Sequence, residues 1–132
     1  MPEERVRQQL LARLSEELGY PKSLISVEQG LALQPHIKNE KQGIPVRRTD
    51  ILCYGKNGKS GELFPLLLIE CKAVPLTAKV INQAIGYNIH IRAPYISIVN
   101  QSQIQMGWYD PKVRSYVFIA HLPSYEQLLS GL

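Results

Sequence analysis

Asp50, Glu70 and Lys72 have the types and spacing of a set that could hydrolyse a phosphodiester. Glu70 and Lys72 lie two apart at the end of Leu66-Leu67-Leu68-Ile69-Glu70-Cys71-Lys72. In a strand they therefore share one face while Cys71 points to the other. Asp50 sits in a second β-prone run, Arg47-Arg48-Thr49-Asp50-Ile51-Leu52-Cys53-Tyr54. A charged pair closing an apolar strand is costly unless it has partners or chemistry. Phosphodiester hydrolysis needs a sink for transition-state charge, an activated water and help for the leaving oxygen. Mg²⁺ (or Mn²⁺) supplies most of this when a few carboxylates hold it and leave water positions open. Asp50, Glu70 and the main-chain carbonyl of Cys71 could form such a hard-oxygen site. Lys72 could then orient the attacking water or stabilise charge. A structural ion-pair network is the competing reading of the same three charges.

The elements that must position these groups are legible in the periodicities. Pro2, Glu3 and Glu4 open a helix, with proline in the first turn and acids at the positive end of the dipole. Val6, Leu10, Leu11, Leu14 and Leu18 recur with helical period, and Gly19 closes it. Ser23 to Gln34 is a first strand, bent or bulged at Gly30, and 35–43 is a loop. Val46 to Tyr54 and Leu63 to Lys72 are the second and third strands. The Gly/Lys/Asn-rich segment from Gly55 to Gly61 makes them a hairpin. Thr77 caps a helix running to Arg92, with Val80, Ile81, Ala84, Ile85 and Ile89 on its apolar side. Pro94 to Val99 is a fourth strand. Ile104–Tyr109 and Val113–Ile119 form a last hairpin around Asp110-Pro111-Lys112, and Ser124–Leu129 a short helix. A helix between the third and fourth strands is a crossover, so those two strands should be parallel and the earlier ones antiparallel. A mixed sheet between two helices follows.

Composition bounds the rest. A chain of 132 residues with 45% apolar and 20% charged residues is expected to form a single domain (1–132) of ordinary globular type. Cys53 and Cys71 fall inside predicted strands without metal-ligand spacing, which fits small core residues in a reduced, cytoplasmic setting. The apolar run from Phe64 to Ile69 is too short to cross a bilayer, and Met1-Pro2-Glu3-Glu4 does not read as a signal peptide. A net charge of +4 favours an anionic partner. His36, His90 and His121 have no ligand-like neighbours, which argues against zinc. Gly55-Lys56-Asn57-Gly58-Lys59-Ser60 has the wrong spacing for a phosphate-cradling loop and no helix follows it, so a nucleotide-handling domain fits poorly.

Arg48-Thr49-Asp50 followed by Ile69-Glu70-Cys71-Lys72 resembles the PD-(D/E)xK nuclease superfamily, most closely the N-terminal nuclease domain of type I restriction enzyme R subunits. Two further stretches carry the resemblance, Glu3 through Pro21 and Gln83-Ala84-Ile85-Gly86-Tyr87, and together the likeness runs from about Glu3 to Asn100. It implies an α/β fold, a restriction-endonuclease-like mixed β-sheet flanked by helices with an α-β-β-β-α-β core. It also implies a metal-dependent DNA nuclease, restriction- or repair-type, expected to act as an endonuclease. Thr49 stands where the name-giving proline would be, and 132 residues hold no motor or target-recognition domain. A separate motor or recognition subunit, or self-association into a homo-oligomer, would then help it grip DNA. The alternative is a non-cleaving nucleic-acid-binding or complex-assembly module of the same fold.

The resemblance assigns one more acid to the opening helix. At roughly 100° per residue, Glu3 falls amid Arg7, Leu10 and Leu14 while Glu4 lies toward the rim. Glu3 is the choice and Glu4 the reserve. Gln83 and Tyr87 resemble a QxxxY motif; four apart on a helix, they could reach a metal-bound water and a phosphate or base. Arg48 shares the strand parity of Asp50 and is a candidate for substrate contact. Lys38, Lys41, Arg47, Lys56 and Lys59 form a basic stretch expected beside the site, either a solvated loop or an edge that tracks phosphates, with Lys56 and Lys59 its candidates. Trp108, Tyr109 and Tyr116 read as packing residues before base-stacking ones.

Overall fold

The computed structural model describes residues 2–30 and 48–131. Helix α1 (Pro2–Glu16) opens the chain and a 3₁₀ turn (Lys22–Leu24) leads into β1 (Ile25–Gly30). Strands β2 (Arg48–Lys56) and β3 (Leu63–Cys71) precede helix α2 (Ala78–Ile91). Strands β4 (Tyr95–Val99), β5 (Ile104–Asp110) and β6 (Ser115–Ile119) follow, and helix α3 (Tyr125–Leu129) ends the chain. All six strands form one sheet whose spatial order repeats the chain order. Among the described strands only β3 and β4, joined through α2, are parallel; the other neighbours are antiparallel. The expected mixed α/β sheet, its crossover and both hairpins are present. The expected loop at 35–43, the stretch 31–34 of the first strand and Val46 lie outside the described residues.

Each element ends where local chemistry stops it. Gly19 takes a left-handed φ of 75°, and the N–H of Tyr20 turns back to the carbonyl of Leu14 at 3.0 Å, closing α1. The Thr77 hydroxyl accepts from the N–H of Val80 and starts α2, a cap of the kind that contributes about 1 kcal/mol. In the β2–β3 turn, Oδ1 of Asn57 accepts from the N–H groups of Lys59 and Ser60, which holds the hairpin closed.

Strand alternation divides the core in two. Ile51, Cys53, Ile69 and Cys71 pack with Val6, Leu10 and Leu14 of α1. Leu52, Leu68, Ile96 and Ile98 pack with Ala84, Tyr87 and Ile91 of α2. Both thiols are free and buried, and burial pushes that of Cys53 up to about 12. The C-terminal segment is fixed to the α1 side: the Tyr20 hydroxyl donates to the carbonyl of Pro123 at 2.9 Å, and the rings of Tyr20 and Tyr125 meet edge to face at 5.4 Å. Among the described residues no helix is long and apolar enough to cross a membrane.

Candidate active site

The end of β3 carries the candidate chemistry. Leu68 belongs to the α2-side core while Ile69 and Cys71 belong to the α1 side. Glu70 and Lys72, of the same parity as Leu68, therefore lie on the α2 face, with the Cys71 thiol turned the other way. Glu70 is 2% exposed, and Nζ of Lys72 stands 3.9 Å from its Oε2. The Lys72 side chain keeps a quarter of its surface in solvent, so it spans the buried carboxylate and the exterior. Its backbone N–H donates to the carbonyl of Val99 at 2.8 Å, which locks the end of β3 to β4 and fixes where the side chain departs.

The register of the hairpin brings position 50 here. Ile51 pairs with Ile69, and Asp50 and Glu70 each lie one residue beyond that pair, at the same end of the antiparallel ladder. Arg48, two residues further out, pairs with Gly30 of β1. The side chains of Arg48, Asp50 and Glu3 lie outside those described; their backbones belong to β2 and to the first turn of α1. Arg7, on the stripe with Leu10 and Leu14, is itself only 8% exposed, so this stripe of the helix is the covered one. Glu4 is engaged by Arg7 and by Nε2 of Gln8 at 2.9 Å, and the Arg7 hydrogen bond foremost holds its carboxyl below the usual range.

Helix α2 separates its two expected site residues. Tyr87 is 3% exposed within the α2-side core, whereas Gln83, one turn nearer the 72–77 loop, is exposed. Of the two, Gln83 alone presents its side chain to solvent, and Tyr87 can act only from inside the packing.

Lys56 and Lys59 are not beside the site, which corrects their expected placement. Lys56 pairs with Leu63 at the opposite end of the hairpin, and Lys59 lies in the turn beyond it. Six residues of extended chain separate Lys56 from position 50, about 20 Å at the rise of a strand. Lys38, Lys41 and Arg47 fall outside the described residues. Trp108 packs against the α1-side core and meets Tyr95 edge to face at 6.3 Å, as a packing residue would. Tyr109, in contrast, is 52% exposed.

Sequence reasoning did not single out the turn beside the site. Asn100 donates from Nδ2 to the carbonyl of Val74 at 3.0 Å, while its Oδ1 accepts from the N–H groups of Ser102 and Gln103. This ties the β4–β5 turn to the segment following Lys72 and walls a cavity of about 260 Å³ lined by Ala73, Val74, Pro75 and 100–103. The polar run Asn100-Gln101-Ser102-Gln103 between two apolar strands, opened by an Asn, is the turn signal that the sequence did carry.

Residues 2–123 match the family model described as type I restriction enzyme R protein N terminus (HSDR_N). The chain belongs to that family. No curated protein and no solved structure matches it. The match spans α1 through β6, so in this R-protein N terminus the six-stranded sheet and the Glu70–Lys72 pair lie wholly within the family region. Among the described residues no three His, Cys, Asp or Glu side chains gather into a metal-binding group. Glu3 and Asp50, whose side chains lie outside that description, are the acids expected to complete one.

Proposed function

We propose that this R-protein N terminus is a metal-dependent DNA nuclease that hydrolyses phosphodiesters at the end of β3. The observation that carries the reading is the Glu70–Lys72 pair: a buried carboxylate with an ammonium 3.9 Å away, one ladder step from position 50. A carboxylate kept inside an apolar sheet costs several kcal/mol unless something compensates it. A structural salt bridge alone would be served as well by two surface residues.

The donor set fits a hard divalent cation in kind. Glu70, Asp50 and the Cys71 carbonyl are all oxygen donors, and no histidine belongs to the strand ends concerned. Bound there, Mg²⁺ or Mn²⁺ would supply Lewis acidity and a water of lowered pKa. The protein's own residues do the rest. Glu70 and Asp50 bind and orient, and Glu3 joins them from α1. Lys72, partly in solvent, donates to the attacking water or to a phosphoryl oxygen as charge develops. Gln83, exposed on the helix that follows, orients a water at the rim. The DNA is gripped with the help of a separate motor or recognition subunit, or of a second copy of this chain, in the cytoplasm where its thiols stay reduced.

The test is cleavage of circular and linear DNA, single- and double-stranded, with Mg²⁺ and with Mn²⁺, by the chain and by its Lys72→Ala variant. Metal-dependent cutting of circular substrate, lost in the variant, is the expected result. No cutting with either metal, together with unfolding of Lys72→Ala, would make the charges structural and leave a non-cleaving assembly module.

A further inference from the structure

The end of the sheet opposite Glu70 gathers cations and an exposed ring from three separate segments. Lys56 and Lys59 come from the β2–β3 turn, Lys112 and Arg114 from the β5–β6 turn, and Arg92 from the cap of α2, where the chain enters β4 between them. All five are exposed. The two turns also carry acids, Glu62 and Asp110, and Oδ1 of Asp110 is taken by the N–H of Lys112 at 2.9 Å; Glu126 lies nearby on the α1 side, next to Tyr125, whose hydroxyl donates to the Tyr54 carbonyl at 3.3 Å. The two hairpin turns are three strand spacings apart, about 14 Å, a span that a short run of phosphates can follow. Tyr109 stands at this end, 52% exposed, with its ring centroid 6.0 Å from that of Tyr116.

A second observation points the same way. Arg92 (φ 64°) and Arg114 (φ 54°) are the only non-glycine residues with positive φ among the described residues. Both positions, a helix cap and a tight turn, are ones that glycine fills without the steric penalty of a Cβ and that asparagine tolerates through local hydrogen bonds of its short side chain. At both, the chain carries an arginine, and both arginines are at this end. Strain accepted twice for the same charged side chain implies a use for that side chain.

We propose that this end of the sheet binds a single-stranded nucleic acid segment, with Lys56, Lys59, Arg92, Lys112 and Arg114 on phosphates and Tyr109 stacked on a base. It is distinct from the cleavage centre, about 20 Å away along β2, and needs no metal. An exposed ring amid cations suits a strand whose bases are open, because stacking tolerates any base and a duplex hides its faces.

Binding of a labelled oligothymidylate, measured in EDTA so that cleavage plays no part, tests the proposal. The informative variant is Lys112→Ala/Arg114→Gly, since glycine removes the charge and relieves the left-handed backbone together. Its melting temperature should equal or exceed that of the parent while its affinity falls about tenfold. The slope of log affinity against log salt should shrink by about 1.4, two contacts at about 0.7 each. Tyr109→Ala should weaken binding at least about fivefold, and the matching duplex should bind less tightly than the strand. Unchanged affinity in the Lys112/Arg114 variant overturns the proposal, as does binding abolished by Lys72→Ala alone. No binding by the parent chain also overturns it and points to an acidic protein surface as the occupant. Loss of cleavage with this binding intact would count against the nuclease reading only.

Discussion

Glu70 and Lys72 face the same side of the sheet, one almost wholly buried and the other a quarter exposed, with 3.9 Å between carboxylate oxygen and ammonium. The asymmetry matters more than the distance. A pair serving only stability would gain little from holding one partner in the core and the other at the surface. A site that must bind inside and deliver charge to an arriving substrate needs that gradient.

Lys72→Ala should therefore act on rate. The side chain is partly in solvent, and its backbone bond to Val99 does not depend on the ammonium. Loss of one preorganised charge donor typically costs on the order of 10²–10³ in turnover. Single-turnover cleavage should fall by that factor while circular dichroism and Mn²⁺ affinity stay close to those of the parent. An equal loss in cleavage and in metal affinity would remove Lys72 from the chemistry.

The carboxylates should behave the other way. Asp50→Asn and Glu70→Gln each remove a charged oxygen donor while nearly keeping the shape of the side chain, so Mn²⁺ binding by calorimetry should weaken strongly in both. Undiminished affinity in Asp50→Asn would mean that position 50 is no ligand.

Gly107 in β5 has no room for a side chain. A Cβ there would come within 2.5 Å of the Phe118 ring and 2.6 Å of the Val117 carbonyl oxygen, and the latter belongs to backbone that cannot swing aside. Gly107→Ala should lower stability by about 1–3 kcal/mol in a denaturant titration. The Phe118 ring alone could turn away, so a null effect would show that the β5–β6 ladder yields.

Cys53 gives stability a dependence on alkaline pH. Its folded thiol is pushed up to about 12 by burial, against about 8.5 for an unfolded cysteine. The unfolded state loses this proton first, so the contribution is complete below about pH 8.5 and is lost as pH rises toward 12. Melting temperature should fall across that window, and less steeply in Cys53→Ala once its lower baseline is subtracted. A thiol reagent at neutral pH should leave Cys53 unmodified until the chain unfolds.

Much of this was legible in the residues. The turn chemistry from Gly55 to Gly61 gave the β2–β3 hairpin, the Thr77 cap and apolar spacing gave α2, and a helix between two strands gave the parallel β3–β4 pair. Parity alone placed Glu70 and Lys72 together. Lys56 and Lys59 were misplaced because nearness in sequence is not nearness in an extended strand, where six residues cover about 20 Å. Gln83 and Tyr87 are neighbours on a helical wheel, but a wheel has no axis, and one turn along α2 is the difference between solvent and core. Val113 and Arg114 read as strand yet belong to the turn. An arginine in the left-handed region gives no signal where glycine or asparagine would have.

Because the strands lie in the sheet in the order in which they occur in the chain, each ladder joins consecutive strands. Within the described segments the hairpin turns are short, and the closure from β3 to β4 is spanned by α2. The tight hairpins therefore close at small entropic cost, whereas the β1–β2 pairing spans residues 31–47 and the Tyr20–Pro123 bond joins nearly opposite ends of the chain. The β2–β3 hairpin can form first and recruit its neighbours outward. The Glu70–Lys72 end of the sheet is then completed when α2 folds back and β4 docks, which ties assembly of the site to the parallel pairing of β3 with β4.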